Sequence, residues 1–249
     1  MTLLVRDSAE PLRENIAFHR QQGVDFFIIT DNCSLDNTAT IIGEYVRAGL
    51  AESAFEPEDT YSQARWVMRM ARRAASVHRA DWVINNDDDE FWRGSEGTLR
   101  EELERVLLEL DAVKVQRCNH PPLALSGDRH FLQTQIYREQ TSLNALGNPL
   151  LPKVCHRGFT DIEVSQGNHQ VARAGALVAA TPTDRIAISH FPLRGYSAFE
   201  RKIAYGGSAT SAIPNLILAS ARPGGGSTNS CNRVVCANGT SISCSPMTG

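Results

Sequence analysis

The sequence predicts an α/β domain with a largely parallel central sheet covered by helices on both faces. Two observations carry this. Short hydrophobic runs alternate with helix-period segments through the first 117 residues. Two of those runs end abruptly in acidic, polar clusters, as strands do where parallel sheets bind ligands at their carboxyl ends. A chain of 249 residues with 42% hydrophobic content can bury one principal core.

Leu3 to Val5 reads as a short buried strand. A helix follows, with Pro11 in its first turn, Leu12 and Ile16 on one face and Gly23 as its stop. Val24 to Thr30 is the next strand, closed by Asp31-Asn32-Cys33-Ser34 before a helix carrying Ile41, Ile42, Tyr45 and Val46. From Gln63 to Arg79 the spacing of Trp66, Val67, Met70, Ala71, Ala74 and Val77 predicts an amphipathic helix whose other face carries Arg65, Arg69, Arg72 and Arg73. A solvated face and a contact for a phosphorylated or membrane-linked acceptor both fit those arginines.

Trp82-Val83-Ile84 is a compact strand running into Asn85-Asn86-Asp87-Asp88-Asp89-Glu90, and Thr98 to Leu110 reads as a helix before a strand at Val113 to Arg117. Beyond Pro121-Pro122 the regularity weakens, with short strands expected at Phe131 to Arg138, Lys153 to Arg157, Ile162 to Ser165 and Ile186 to His190. Ser197-Ala198-Phe199-Glu200 has capping-box spacing for a helix ending at Gly206-Gly207. After about Pro223 the composition turns to Gly, Ser, Thr, Asn and Cys, so a disordered tail over 223–249 is expected, read as an altered-frame or appended extension.

A formal charge of −3 gives no global drive toward nucleic acid. The opening residues have no secretory apolar core, and no stretch approaches the ~20 apolar residues that span a bilayer, which makes the cytoplasm the default compartment. The six cysteines lack metal-finger spacing and read as reduced thiols. A zinc site from Cys155, His156, His169 and His190 lacks compact spacing.

The chemistry centres on Asp87-Asp88-Asp89-Glu90. Closely spaced carboxylates repel unless solvated or bound to a cation, and hard divalent ions such as Mn2+ or Mg2+ take such oxygens while leaving positions for phosphate. Asp87 and Asp89 are the expected pair of metal ligands. In the cluster from Thr30 to Thr38, Asp31 and Asn32 suit a ribose or base, whereas Asp36 suits helix capping. Lys153, Arg157 and Arg194 could each reach a phosphate, Arg6 at the first strand end is better placed, and Trp92 suits core packing more than sugar stacking.

Taken together, Leu4-Val5-Arg6-Asp7 with Glu10, the segments 27–38 and 81–92, Lys153-Val154-Cys155-His156-Arg157, Gly167-Asn168-His169 and His190-Phe191-Pro192-Leu193-Arg194 resemble the family-2-like glycosyltransferases of the nucleotide-diphospho-sugar transferase fold. The resemblance runs in order from residue 3 to about residue 207. It implies a mixed, mostly parallel, Rossmann-like sheet flanked by helices, a transferase domain over 1–222, a nucleotide-sugar-binding half over 1–120 and an acceptor half over 121–222. It also implies Asp87 and Asp89 as an Asp-x-Asp metal motif, Asp31 near the donor nucleotide with Asp88 in the same cofactor-binding group, and inversion at the anomeric carbon. The donor is then a nucleotide diphosphate sugar and the acceptor a glycan or glycolipid, with peripheral membrane contact.

Asp161 and Glu163 are candidate bases for the acceptor hydroxyl. His190, and after it His169, are candidates to complete the metal sphere, with a core or turn histidine an equal reading for each. The family usually has glycine where this chain has Cys33, and often where it has Asn37.

Two other readings stay open. A sugar-phosphate nucleotidyltransferase normally shows a glycine-rich basic loop after its first strand, which Arg6-Asp7-Ser8-Ala9-Glu10 lacks. A non-catalytic nucleotide- or carbohydrate-binding module would have no need of both Asp87 and Asp89.

Overall fold

β1 (Thr2–Val5) forms where Leu3 and Val5 bury one face of a short run, and helix α1 (Ala9–Gln21) returns over it with Leu12 and Ile16 inward. Gly23 ends that turn at φ +86°, a conformation that suits glycine. β2 (Phe27–Asp31), α2 (Thr38–Arg47), β3 (Ala51–Phe55), α3 (Gln63–Ser76) and β4 (Trp82–Asn86) complete a doubly wound run. The chain continues through β5 (Glu90–Gly94), α4 (Leu99–Glu104), β6 (Ala112–Asn119), α5 (Phe131–Thr134), β7 (Arg138–Glu139), β8 (Lys153–Arg157), β9 (Ile162–Val164), β10 (Val171–Arg173), β11 (Ala176–Leu177), β12 (Ala180–His190) and β13 (Val234–Val235). This is a computed structural model that describes residues 1–58, 63–122, 130–144 and 146–194, and the backbone of Val234–Val235. The helix expected from Ser197 to Gly206-Gly207 and most of the expected tail lie outside the described residues.

The central sheet has eight strands in the order β3-β2-β1-β4-β8-β6-β12-β5. Pairing is parallel from β3 through β4 and antiparallel at β4/β8 and β8/β6, so the expected mixed sheet is what the chain builds. Strand alternation sorts the core. Leu3, Val5, Phe27 and Ile29 pack under α1 and α2, while Ile28 and Val83 pack under α3 with Ile162, Val164 and Val171 of a second sheet, β11-β10-β9. Ile84, Val113, Val115, Ile186 and Ile188 bury Leu99 and Leu103 of α4.

The chain divides into two compact units, Met1–Arg117 with Leu151–Ser189, and Cys118–Leu150 with the residues from His190 onward. In the second unit His190 Nδ1 bonds Asn119 Oδ1 at 2.7 Å, the ring of His120 stacks on Phe191, and β13 pairs antiparallel with β7.

Several elements differ from expectation for physical reasons. The second strand begins at Phe27 because Val24 N–H still closes the end of α1 on the His19 carbonyl. α4 is shorter than Thr98 to Leu110. Its capping box at Thr98 and Glu101 is made, but Arg157 takes the carbonyls of Val106, Leu107 and Leu110 in turns, leaving Leu107 and Leu108 exposed. Phe131 to Arg138 is a one-turn helix and a two-residue strand, started by His130 accepting the Leu132 N–H. β3 and β5 were not expected at all.

The basic face of α3 is compensated. Arg65, Arg69 and Arg73 pair with Glu58, Glu56 and Glu52, and Arg72 Nε donates to the Ile162 carbonyl at 2.7 Å. Among the described residues no helix is long and apolar enough to cross a membrane.

Cys33, where the resembling family has glycine, sits at φ +59° in the left-handed region. That conformation costs a non-glycine residue about 1–2 kcal/mol, and a β-branched side chain more. Cys33→Gly is therefore expected to change unfolding free energy by less than about 1 kcal/mol, because relief of strain offsets the extra chain entropy, whereas Cys33→Val loses about 2 kcal/mol. Urea unfolding of the two variants checks the contrast.

Candidate functional site

The strand order places the site. β1 is flanked by β2 on one side and β4 on the other, so the direction of winding reverses there, and open α/β sheets bind ligands beyond the carboxyl ends of strands at such a point. The turn Asp87-Asp88-Asp89 leaves the carboxyl end of β4 there and re-enters structure at Glu90, closed by Glu90 N–H on the Asp87 carbonyl at 3.1 Å.

Buried amides hold this turn from behind. Asn15, on the same α1 face as Leu12 and Ile16, donates through Nδ2 to the carbonyls of Asp88 (3.1 Å) and Glu90 (2.9 Å). Asn86 Nδ2 donates to Asn15 Oδ1 and to the Glu90 carbonyl, and Trp92 Nε1 donates to Asn86 Oδ1 at 2.8 Å. His19 closes the set. Its Nε2 accepts the Trp92 N–H at 2.9 Å, which puts the ring proton on Nδ1, where it meets the Asn15 carbonyl at 2.8 Å. Burial lowers the His19 pKa to about 3, so this ring stays neutral.

A second buried chain runs behind β4. Thr2 Oγ1 donates to Asn85 Oδ1, and Asn85 Nδ2 donates to His156 Nε2 at 3.1 Å. His156 Nδ1 then donates to the Arg157 carbonyl at 2.7 Å, and burial lowers this pKa to about 4. Neither ring nitrogen of His156 is left for a metal. Cys155 is buried in the core, its thiol pushed up to about 12 by desolvation.

On the open side, Lys153 is 1% exposed and its Nζ lies 2.6 Å from Asp87 Oδ2 and 3.3 Å from Glu90 Oε1. Antiparallel pairing of β8 with β4 explains this. Cys155 stands opposite Ile84, so two residues back along β8 lies level with the end of β4. Arg117 Nη1 reaches Glu90 Oε1 at 3.0 Å, and its Nε is fixed on the Leu151 carbonyl. Glu90 is fully buried, and desolvation, reinforced by Asp87 and Asp89 and opposed by Lys153, raises its pKa to about 8. Its Oε2 is buried with no hydrogen-bond partner among the described residues. A carboxylate oxygen of Asp89, also buried, lies within 4.8 Å of one from Glu90.

The other expected site residues are placed as follows. Asp31 ends β2, with Oδ1 accepting the Ser34 N–H at 3.0 Å, and Asn32 Nδ2 donates to the carbonyls of Glu56 and Glu58. Asp36 stands just before the N-cap Asn37 and is structural: its carboxylate accepts the N–H groups of Ala9 and Thr38 at the starts of α1 and α2. Arg6 follows β1, with its Nε buried. Asp161 is held by Arg173 at 2.9 Å, which keeps its carboxyl below the usual range, while Glu163 stands on β9 between the inward residues Ile162 and Val164.

His169 Nδ1 bonds the Pro152 carbonyl at 2.8 Å, and desolvation lowers its pKa. His190 belongs to the second unit, where it bonds Asn119. Arg157 stacks on Trp82 at the opposite end of β4, away from the acidic turn. Trp92 is core.

Sequence reasoning missed Asn15, His19 and Arg117, and gave Asn86 and Asn168 no role beyond the resemblance. A signal was present for two of them. Asn15 and His19 interrupt the apolar stripe of α1 at i,i+4 spacing, and a polar residue on a buried face needs a partner.

The donor set fits a divalent cation. Lys153 pairs with Asp87 and Glu90, Arg117 pairs with Glu90, and the buried Oε2 of Glu90 has no hydrogen-bond partner among the described residues.

No protein-family model matches this chain, and no curated protein matches it. Among solved structures it is similar to S. aureus TarS. TarS 1–349 is 12% identical with a TM-score of 0.46, covering 72% of this chain and 59% of that one. The complex of TarS 1–349 with UDP-GlcNAc is 14% identical with a TM-score of 0.47 (78% and 58% covered), and the complex with UDP is 15% identical with a TM-score of 0.47 (76% and 59% covered). The chain thus spans under two thirds of TarS 1–349.

Proposed function

We propose that this chain is a metal-dependent inverting glycosyltransferase that moves a sugar from a nucleotide diphosphate donor to a hydroxyl of a glycan or glycolipid. The observation that supports it best is the acidic turn beyond β4, braced by buried amides at the sheet's switch point and carrying a carboxylate oxygen without a partner among the described residues. A passive binding surface has no need to hold buried carboxylates so close together against their repulsion.

In this reading Asp89 is the carboxylate on which cation binding depends. A bound Mn2+ or Mg2+ neutralises charge building on the departing nucleoside diphosphate. Asp31 keeps its second carboxylate oxygen for a ribose hydroxyl or base N–H, since Oδ1 is engaged by Ser34. Asn32 shapes the same rim by tying down the segment 56–58. Of the two candidate bases, Glu163 takes the acceptor proton, because the Arg173 ion pair makes Asp161 the weaker base. His169 remains a candidate to complete the coordination.

Calorimetry with nucleoside diphosphates, starting from UDP and UDP-GlcNAc, tests the reading. Binding is expected to need Mn2+ and to be followed by slow donor hydrolysis. Binding that is indifferent to Mn2+, with no hydrolysis of uridine, guanosine or thymidine diphosphate sugars, would leave a binding module instead.

A further inference from the structure

We infer that the acidic turn divides its carboxylates between two cations: Lys153 of the chain itself holds Asp87, and the divalent ion is taken by Asp89 and Glu90. This rests on the proposal that the turn binds a metal, and it departs from the Asp87 and Asp89 pair that the sequence pattern suggests.

Asp87 is already served. Its Oδ2 accepts from the Lys153 ammonium at 2.6 Å, a charge-assisted bond to a lysine with almost no access to water. Its Oδ1 is flanked by Gln63 Nε2 and Asn168 Nδ2, each at 3.5 Å. A carboxylate surrounded by one ammonium and two amides has little charge left to offer a hydrated ion. Lys153 in turn is not open to a phosphate, because its ammonium is buried between Asp87 and Glu90.

Glu90 stands the other way. Lys153 and Arg117 both approach Oε1, and Oε2 is buried without a hydrogen-bond partner among the described residues. A buried carboxyl oxygen left without a hydrogen-bond partner is costly, and such an atom marks a place where an ion or water belongs. A second buried oxygen in this surround lacks a partner among the described residues: Oδ1 of Asn168, whose amide faces Asp87 and whose backbone is held at φ +61°. Asp89 brings a carboxylate oxygen within 4.8 Å of one on Glu90, a spacing at which two oxygens can share one ion.

Mn2+ alone is the probe, titrated into the full chain without nucleotide and followed by the electron paramagnetic resonance signal of free Mn2+. Asp89→Asn and Glu90→Gln are each expected to weaken binding by roughly tenfold or more, whereas Asp87→Asn changes it by less than about threefold. Lys153→Met, which releases Asp87, is expected to bind Mn2+ more tightly and to gain more in melting temperature from Mn2+ than the unaltered chain. If Glu90→Gln does not fold, Glu90→Asp carries the same expectation of weaker binding.

An Asp87→Asn variant that loses Mn2+ as badly as Asp89→Asn, or a Glu90→Gln variant that binds like the unaltered chain, overturns the division. Donor turnover is not read in this experiment. A chain that divides its carboxylates as stated but hydrolyses no nucleotide sugar therefore loses the proposed function and keeps this inference.

Discussion

Replacing Asp89 with asparagine is expected to lower metal-dependent donor hydrolysis by on the order of 100-fold or more. The substitution keeps the size of the side chain and removes one charge from a buried position where another carboxylate stands within 4.8 Å. The loss should appear in turnover at saturating donor, because the interaction removed is one that strengthens as the diphosphate departs. The fold should survive, since the backbone of the turn is held by Asn15 and Asn86 through the Asp88 and Glu90 carbonyls. Kinetics across uridine, guanosine and thymidine diphosphate sugars, paired with a melting curve of the same sample, make the comparison. Equal turnover by the variant and the unaltered chain would remove Asp89 from the metal site.

The second large effect is a loss of stability in mild acid. His19 and His156 are buried as neutral rings because each uses one nitrogen as an acceptor, from the Trp92 N–H and from Asn85. Their folded pKa values, about 3 and about 4, lie below the unfolded value of 6.5. A group depressed in this way contributes stability that is present above the unfolded pKa and is lost as pH falls below it. At pH 5 the loss is about 2 kcal/mol for each ring.

Glu90 works in the opposite direction. Its folded pKa, about 8, lies above the unfolded 4.5, so its contribution is present at low pH and lost as pH rises through 8. It offsets roughly one histidine between pH 7 and pH 5, leaving a net loss of about 1–2 kcal/mol for the unaltered chain. A difference measurement removes this offset. In His156→Gln, which can still accept from Asn85, the fall in urea-unfolding free energy between pH 7 and pH 5 should be smaller by about 2 kcal/mol. An unchanged fall would show that His156 is not held neutral.

The parts of the fold that were legible are those in which a local pattern and the tertiary structure agree. β1, β2, α1, α2, α3 and β4 are hydrophobic runs or stripes bounded by turn residues, and the acidic turn follows β4 where the pattern put it. β3 was hidden because Ala51-Glu52-Ser53-Ala54-Phe55 is an exposed edge strand, with only Ala51 buried. β5 was hidden by the acidic run before it, since Glu90 belongs both to the turn chemistry and to a strand.

For the site, residue type revealed the carboxylates but not their surroundings. The brace at Asn15 acts on residues more than 70 positions away, and the Lys153 to Asp87 pair depends on β8 running antiparallel to β4. Strand direction of that kind is not written in the alternation of apolar and polar residues. By residue type alone Lys153 is one of several cations that could reach a phosphate. The lysine is the right residue at the right end of the sheet, and its ammonium is engaged within the chain.

The most direct test of the account is anomalous diffraction at the manganese edge from crystals grown with Mn2+ and a nucleoside diphosphate. One strong peak is expected within coordination distance of Asp89, with diphosphate oxygens on its open side. The contradicting result is nucleotide bound elsewhere, or no peak at the turn while its carboxylates point into solvent.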